Sequence, residues 1–262
     1  MDELEPMLSL MGPTLYGGAL AFLRVFTCLA MLPQLERGYV PMRARLLLGL
    51  LLTLTIQLGL QLPAVPIPEF YPHILVHLAR EVVFGAALGL AVRTITAACQ
   101  MAGDLVGLSM GLSLSTFFDQ TSGEAPLSMG RLFGLIALML FIALDGHTAV
   151  ALTLSAHFKV HPSGLLLVEP PSLEAIATLG VDMFRTAVLL AAPVIVVTLL
   201  LNMAMGFVMK VVPSLNIFNI GIGILLIGGF LALSYGGEAM RILLGHEIEN
   251  LPERMRAFAG GP

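Results

Sequence analysis

The chain has 262 residues, 57% of them hydrophobic and 11% charged, with a formal net charge of −4 and a mean hydropathy of +0.93. A soluble domain carries about 25% charged residues, so no water-soluble arrangement would hide this much apolar surface. Composition therefore places the chain in a membrane or a membrane complex, and the lack of a basic stripe or any Trp argues against nucleic acid.

The amino terminus reads MDELEP, which is acidic where an export signal is basic. The first apolar run, Met7–Leu32, is also too long for a cleavable signal core and is expected to stay attached. Windows of about 20 apolar residues predict spanning helices over Met7–Leu32, Leu46–Leu62, Ile74–Val92, Leu132–Phe158, Met183–Met209 and Ile217–Tyr235. Pro63–Pro72 reads as a stiff linker, because each proline fixes its own φ and biases its predecessor away from helix. A second break falls at Glu169–Ala175, with Ser172 as an N-cap candidate. Cys28 and Cys99 stand alone in apolar surroundings, which points to neither a disulfide framework nor a zinc site.

The segment Thr94–Phe118 is long enough to cross but rich in Gly, Ala, Ser and Thr. Counting Arg and Lys by the positive-inside rule gives nine inside and three outside if it crosses with the amino terminus outside. If it re-enters, the split is six against six, so the rule leans towards a crossing. Gly103, Gly107, Gly111 and Ser115 recur every fourth residue and form a slowly winding groove on a helix. Such a groove admits a second backbone closely, either from the same bundle or from another subunit. Asp104 beside it needs a partner, with Arg93 and Arg131 as candidates. After the groove come Phe117 and Phe118, then the turn formers Asp119, Ser122, Gly123 and Pro126. These rings pack into a core or at the lipid interface, or else they plug a pore by filling or dewetting it.

Polar residues interrupt the other windows: Arg24 the first, Asp145 and His147 the fourth, Pro193 and Asn202 the fifth. Each charge in hydrocarbon costs a few kcal/mol, which is relieved where a helix faces protein or a water-filled lumen. Arg24, Asp104, Asp145, His147 and Asn202 are accordingly expected to be buried polar groups. Asp145-Gly146-His147 fits a helix end, or else a proton relay. His157 and His161 have i, i+4 spacing, but Pro162 follows and no carboxylate ligand is obvious, so no metal is assigned. No phosphate-binding loop or HExxH pattern is present. The 15 methionines are scattered, as adaptable packing would be.

Four stretches in order resemble the export-gate family of flagellar FliR and injectisome SctT proteins. They are Val40–Ile56, Arg80–Val92 continuing into Ala102–Asp119, Leu140–Gly164 with a Gly-His pair, and Ala191–Ile224 with Pro-x-Leu-Asn-x-Phe at Pro213–Phe218. The resemblance implies an all-α fold of helical hairpins assembled into a multi-subunit gate rather than a free-standing, lipid-facing bundle. It implies a FliP-like part over 1–178, a FliQ-like hairpin over 179–240 bending at Lys210, Pro213 and Asn216, and a polar tail over 241–262. It further implies a non-enzymatic channel subunit of the bacterial inner membrane and flagellar basal body, without cofactor or metal, joined to FliP, FliQ and FlhB homologues and passing unfolded proteins. The family's pore plug maps onto the loop at about 112–126: Phe117 falls on an aromatic position and Leu114 where relatives carry Phe, with Phe118 and Asp119 beside them. Asp119-Gln120 stands where flagellar relatives have Asp-Pro. An injectisome subunit, and a secondary transporter coupled through Asp104, Asp145 or His147, are the alternative readings. A transporter would show an internal repeat, and none is found.

Overall fold

The computed structural model describes residues 4–32, 40–112, 128–164, 173–211 and 217–257. The described residues form α-helices: α1 (Leu4–Met31), α2 (Met42–Leu60), α3 (Tyr71–Ser109), α4 (Met129–Ala143), α5 (Gly146–Val160), α6 (Leu173–Val211), α7 (Ile217–Glu249) and α8 (Leu251–Ala257). Among the described residues, five helices are long and apolar enough to cross a membrane, and a sixth crossing is available if α4 and α5 count as one broken span.

The window Ile74–Val92 and the first part of the window Thr94–Phe118, expected to be separate, lie on one helix. α3 runs without interruption for 39 residues, about 58 Å at 1.5 Å per residue, against a hydrocarbon core of about 30 Å. Polarity around Arg93–Thr96 suggested a boundary, but nothing there breaks a helix. The Thr94 hydroxyl donates back to the Ala91 carbonyl within the same helix at 2.8 Å. A crossing count that treats 94–118 as its own span is therefore corrected.

The end of α3 explains another departure. Gly111 has φ +78°, its N–H donates to the Leu108 carbonyl at 3.1 Å, and the Leu112 N–H donates to the Gly107 carbonyl at 3.0 Å. This pair of bonds is a Schellman cap, in which glycine takes the left-handed position that a Cβ disfavours. The helix thus stops short of Phe118 because Gly111 terminates it. In the same way, the expected Leu132–Phe158 window is split. Asp145 adopts φ 56°, α4 ends, and the Asp145 carbonyl accepts from the Thr148 and Ala149 N–H groups at the start of α5.

The chain packs as two compact units: residues 1–94, 145–179 and 249–262, and residues 95–144 and 180–248. In the first unit α1 packs on α2, and α5 packs on both α2 and α8. The linker after α2 is part of this packing. Val65 is buried, its N–H donates to the Pro13 carbonyl at 3.2 Å, and its methyls lie against Gly17 and Gly164. In the second unit Ala102, Val106, Met110, Phe133, Ala187, Ala191, Val194 and Ala232 form one apolar core. Residues 241–249, expected within a polar tail, continue α7, and Leu244, Ile248 and Leu251 are buried. Their apolar side chains outweigh the charges around them.

Candidate functional site

Arg24 is buried in the first unit, with 2% of its surface exposed. Its Nε donates to Glu81 Oε2 at 2.6 Å, and its Nη1 donates to His157 Nδ1 at 3.1 Å and to the His161 carbonyl at 2.7 Å. Glu81 Oε1 accepts from the Gly164 N–H at 3.2 Å. The Phe158 ring lies 4.5 Å from the guanidinium carbon, close enough for cation–π attraction. A charge that is expensive in an apolar helix is thus matched by one carboxylate and further hydrogen-bonded through Nη1, and removing either partner would strand the other.

This ion pair forms because α1 and α3 approach very closely. Glu81, Gly85 and Gly89 lie at i, i+4 and i+8, on one face of α3. A Cβ on Gly89 would stand 2.6 Å from the Cys28 carbonyl oxygen, and one on Gly85 would collide with the Thr27 hydroxyl and the Arg24 carbonyl. The Gly85-x-x-x-Gly89 pair was legible in Phe84–Leu90 as a small-xxx-small groove, but the sequence reading passed over it. Glu81 and His157, as partners of Arg24, were not identified either.

The later glycines of α3 behave unequally. A Cβ on Gly103 would lie 2.5 Å from the Met129 carbonyl oxygen, and one on Gly107 would lie 3.3 Å from Met129 Cβ. Both therefore serve contact with the first turn of α4 in the same chain. Gly111 has open space around it, so its role is to end the helix rather than to pack. Ser115 lies outside the described residues.

Of the residues expected to be buried and polar, Arg24 is buried, whereas Asp104, Asp145, His147 and Asn202 are exposed on the single chain. For those four, the expected protein or lumen surroundings are not supplied by this chain itself. Asp104 lies against Gly130 in the first turn of α4, where the positive end of the helix dipole favours a carboxylate. Neither Arg93 nor Arg131 forms a salt bridge with it among the described residues. Asp145 and His147 flank a helix break, where the Asp145 backbone makes the capping bonds. Asn202 faces outward from the middle of α6, and Lys210 is exposed in its last turn. The plug residues Leu114, Phe117, Phe118 and Asp119, and the bend residues Pro213 and Asn216, lie outside the described residues. No group of three His, Cys, Asp or Glu among the described residues could hold a metal. His157, paired with His161 at a ring distance of 5.2 Å, turns Nδ1 to Arg24 instead.

Long apolar helices, an ion pair locked in their midst and broad uncovered apolar faces define a polytopic α-helical membrane protein. The chain belongs to the family of bacterial export proteins, family 1, whose model matches residues 15–251. It is 32% identical over 212 residues to the flagellar biosynthetic protein FliR of Pectobacterium carotovorum subsp. carotovorum, covering 81% of this chain and 80% of that one. It is 33% identical over 199 residues to the protein of the same name from Escherichia coli K12, covering 76% of each. With the Aquifex aeolicus protein of that name it shares 27% identity over 231 residues, covering 88% and 89%.

Proposed function

We propose that the chain is a non-enzymatic core subunit of the flagellar protein export gate in the bacterial inner membrane. It assembles with FliP and FliQ homologues, contacts an FlhB homologue, and helps form the conduit through which unfolded flagellar proteins pass. Its first 178 residues play a FliP-like part and residues 179–240 a FliQ-like hairpin, bent at Lys210, Pro213 and Asn216. The loop carrying Leu114, Phe117, Phe118 and Asp119 is the plug.

One observation carries this reading beyond family membership. Only 22% of the apolar stretch of α6 and 11% of that of α7 are buried within the chain, yet α6 holds the exposed Asn202. A polar amide on an apolar helix is better accommodated against protein or a wet lumen than against acyl chains. Co-expression with the FliP and FliQ homologues tests the assembly: the chain should co-purify with both and be less stable in detergent without them. Recovery of a stable, monodisperse chain alone, with no affinity for either homologue, would count against it. For the plug, Phe117→Ala with Phe118→Ala should raise ion leakage through the assembled gate, and unchanged conductance would contradict it.

A further inference from the structure

We propose that Arg80 is a docking point for a carboxylate carried by a neighbouring protein chain, an inference that rests on the multi-subunit reading above. Four groups surround the Phe84 ring: the guanidinium carbons of Arg24 and Arg80 at 5.5 and 5.8 Å, and the rings of His157 and His161 at 5.4 and 6.1 Å. Two full positive charges therefore share one aromatic ring. Among the described residues, the carboxylate bonded into this cluster is Glu81, and both its oxygens are engaged, one by Arg24 and the other by the Gly164 N–H.

Arg80 is left over. Its Nε and Nη1 are buried and have no hydrogen-bond partner among the described residues, and the same is true of His157 Nε2 and Ser163 Oγ. The Ser163 hydroxyl can donate or accept, whereas the Arg80 and His157 atoms only donate. A guanidinium only donates, so His157 Nδ1 accepts from Arg24, and the neutral ring carries its proton on Nε2. The Arg80 and His157 atoms left unpaired are thus donors, and among the described residues the cluster is short of acceptors and of one negative charge. Water would supply acceptors without the charge; a carboxylate supplies both, and its two oxygens match the guanidinium fork. Arg80 lies on an apolar helix of spanning length and is only partly buried as a residue; Nε and Nη1 are themselves covered, so an adjacent helix engages them when the guanidinium swings outward.

The test uses Arg80→Met and Arg80→Glu in the assembly purified with its partner chains, and Arg80→Met in the full-length chain alone. Arg80→Met should lower the dissociation temperature of the assembly by several degrees, and Arg80→Glu should prevent co-purification. Arg80→Met in the chain alone should leave stability unchanged or raised, since it removes an unpaired charge. Suppressors of Arg80→Glu should change an acidic residue of a partner to Lys or Arg. The inference is overturned if both variants assemble like wild type, or if Arg80→Met destabilises the chain alone, since the acceptor would then belong to this chain. It is equally overturned if phosphate at constant ionic strength stabilises wild type but not Arg80→Met, since a free oxyanion would then be the ligand. A wild-type chain that co-purifies with no protein sinks the gate reading and this one together; a wild-type assembly indifferent to Arg80 sinks this one alone.

Discussion

Arg24 was conspicuous in the sequence because a guanidinium interrupting an apolar run needs an explanation. Its partners were not conspicuous. Glu81 lies 57 positions away and His157 lies 133 away, and no local spacing links residues at such separations. Removing one partner of a buried ion pair costs about 3–5 kcal/mol, whereas replacing both with apolar side chains is often neutral. Arg24→Met and Glu81→Gln should therefore each strongly destabilise the chain within its assembly, while Arg24→Met with Glu81→Leu should recover most of the loss. Thermal unfolding of the detergent-solubilised assembly would check this. Equal losses for the single and double variants would mean that the pair is not coupled. The same reasoning governs the four polar residues whose burial the chain alone does not provide. Cost in hydrocarbon shows that a polar side chain needs company, but not whether that company lies in the same polypeptide.

Among the helices, glycine spacing was legible but its meaning was not. The ladder from Gly103 to Ser115 was read as one groove, yet Gly103 and Gly107 touch the start of α4 while Gly111 is a helix stop. Four-residue periodicity cannot separate these roles, because a Schellman glycine can fall in register with the packing glycines before it. The tighter pair, Gly85 and Gly89, went unnoticed among Ala and Leu, although it sets the approach that brings Glu81 to Arg24. A graded series follows. Gly85→Val and Gly103→Val force a side chain into backbone and should abolish accumulation of the folded chain. Gly111→Ala should cost about 1 kcal/mol or slightly more, the cost of a left-handed alanine. Gly59→Ala, in open space on α2, should be neutral or stabilise by up to about 1 kcal/mol. Expression level and melting temperature across the four variants would reveal the order, and a flat response would contradict the assigned contacts. The fusion of two expected windows into α3 has a related cause. A local rise in polarity marks a membrane boundary only where the backbone also ends its helix, and Thr94 keeps its hydroxyl bonded within the turn.

For the whole molecule, the all-helical, membrane-type fold was plain from composition, because so few charged residues cannot cover a soluble surface. The division into two discontinuous units was not legible, since it depends on which helices return to pack on earlier ones. The chain by itself leaves most of α2, α6 and α7 uncovered. Leu200 is 60% and Phe230 53% exposed, and on the present account other protein chains cover them. Placing a photo-crosslinking amino acid at Leu200 and at Phe230 in living cells measures this directly. The account predicts crosslinked adducts with discrete protein partners of the export gate at both positions. Adducts with lipid alone at both, from a chain migrating as a monomer, would contradict it.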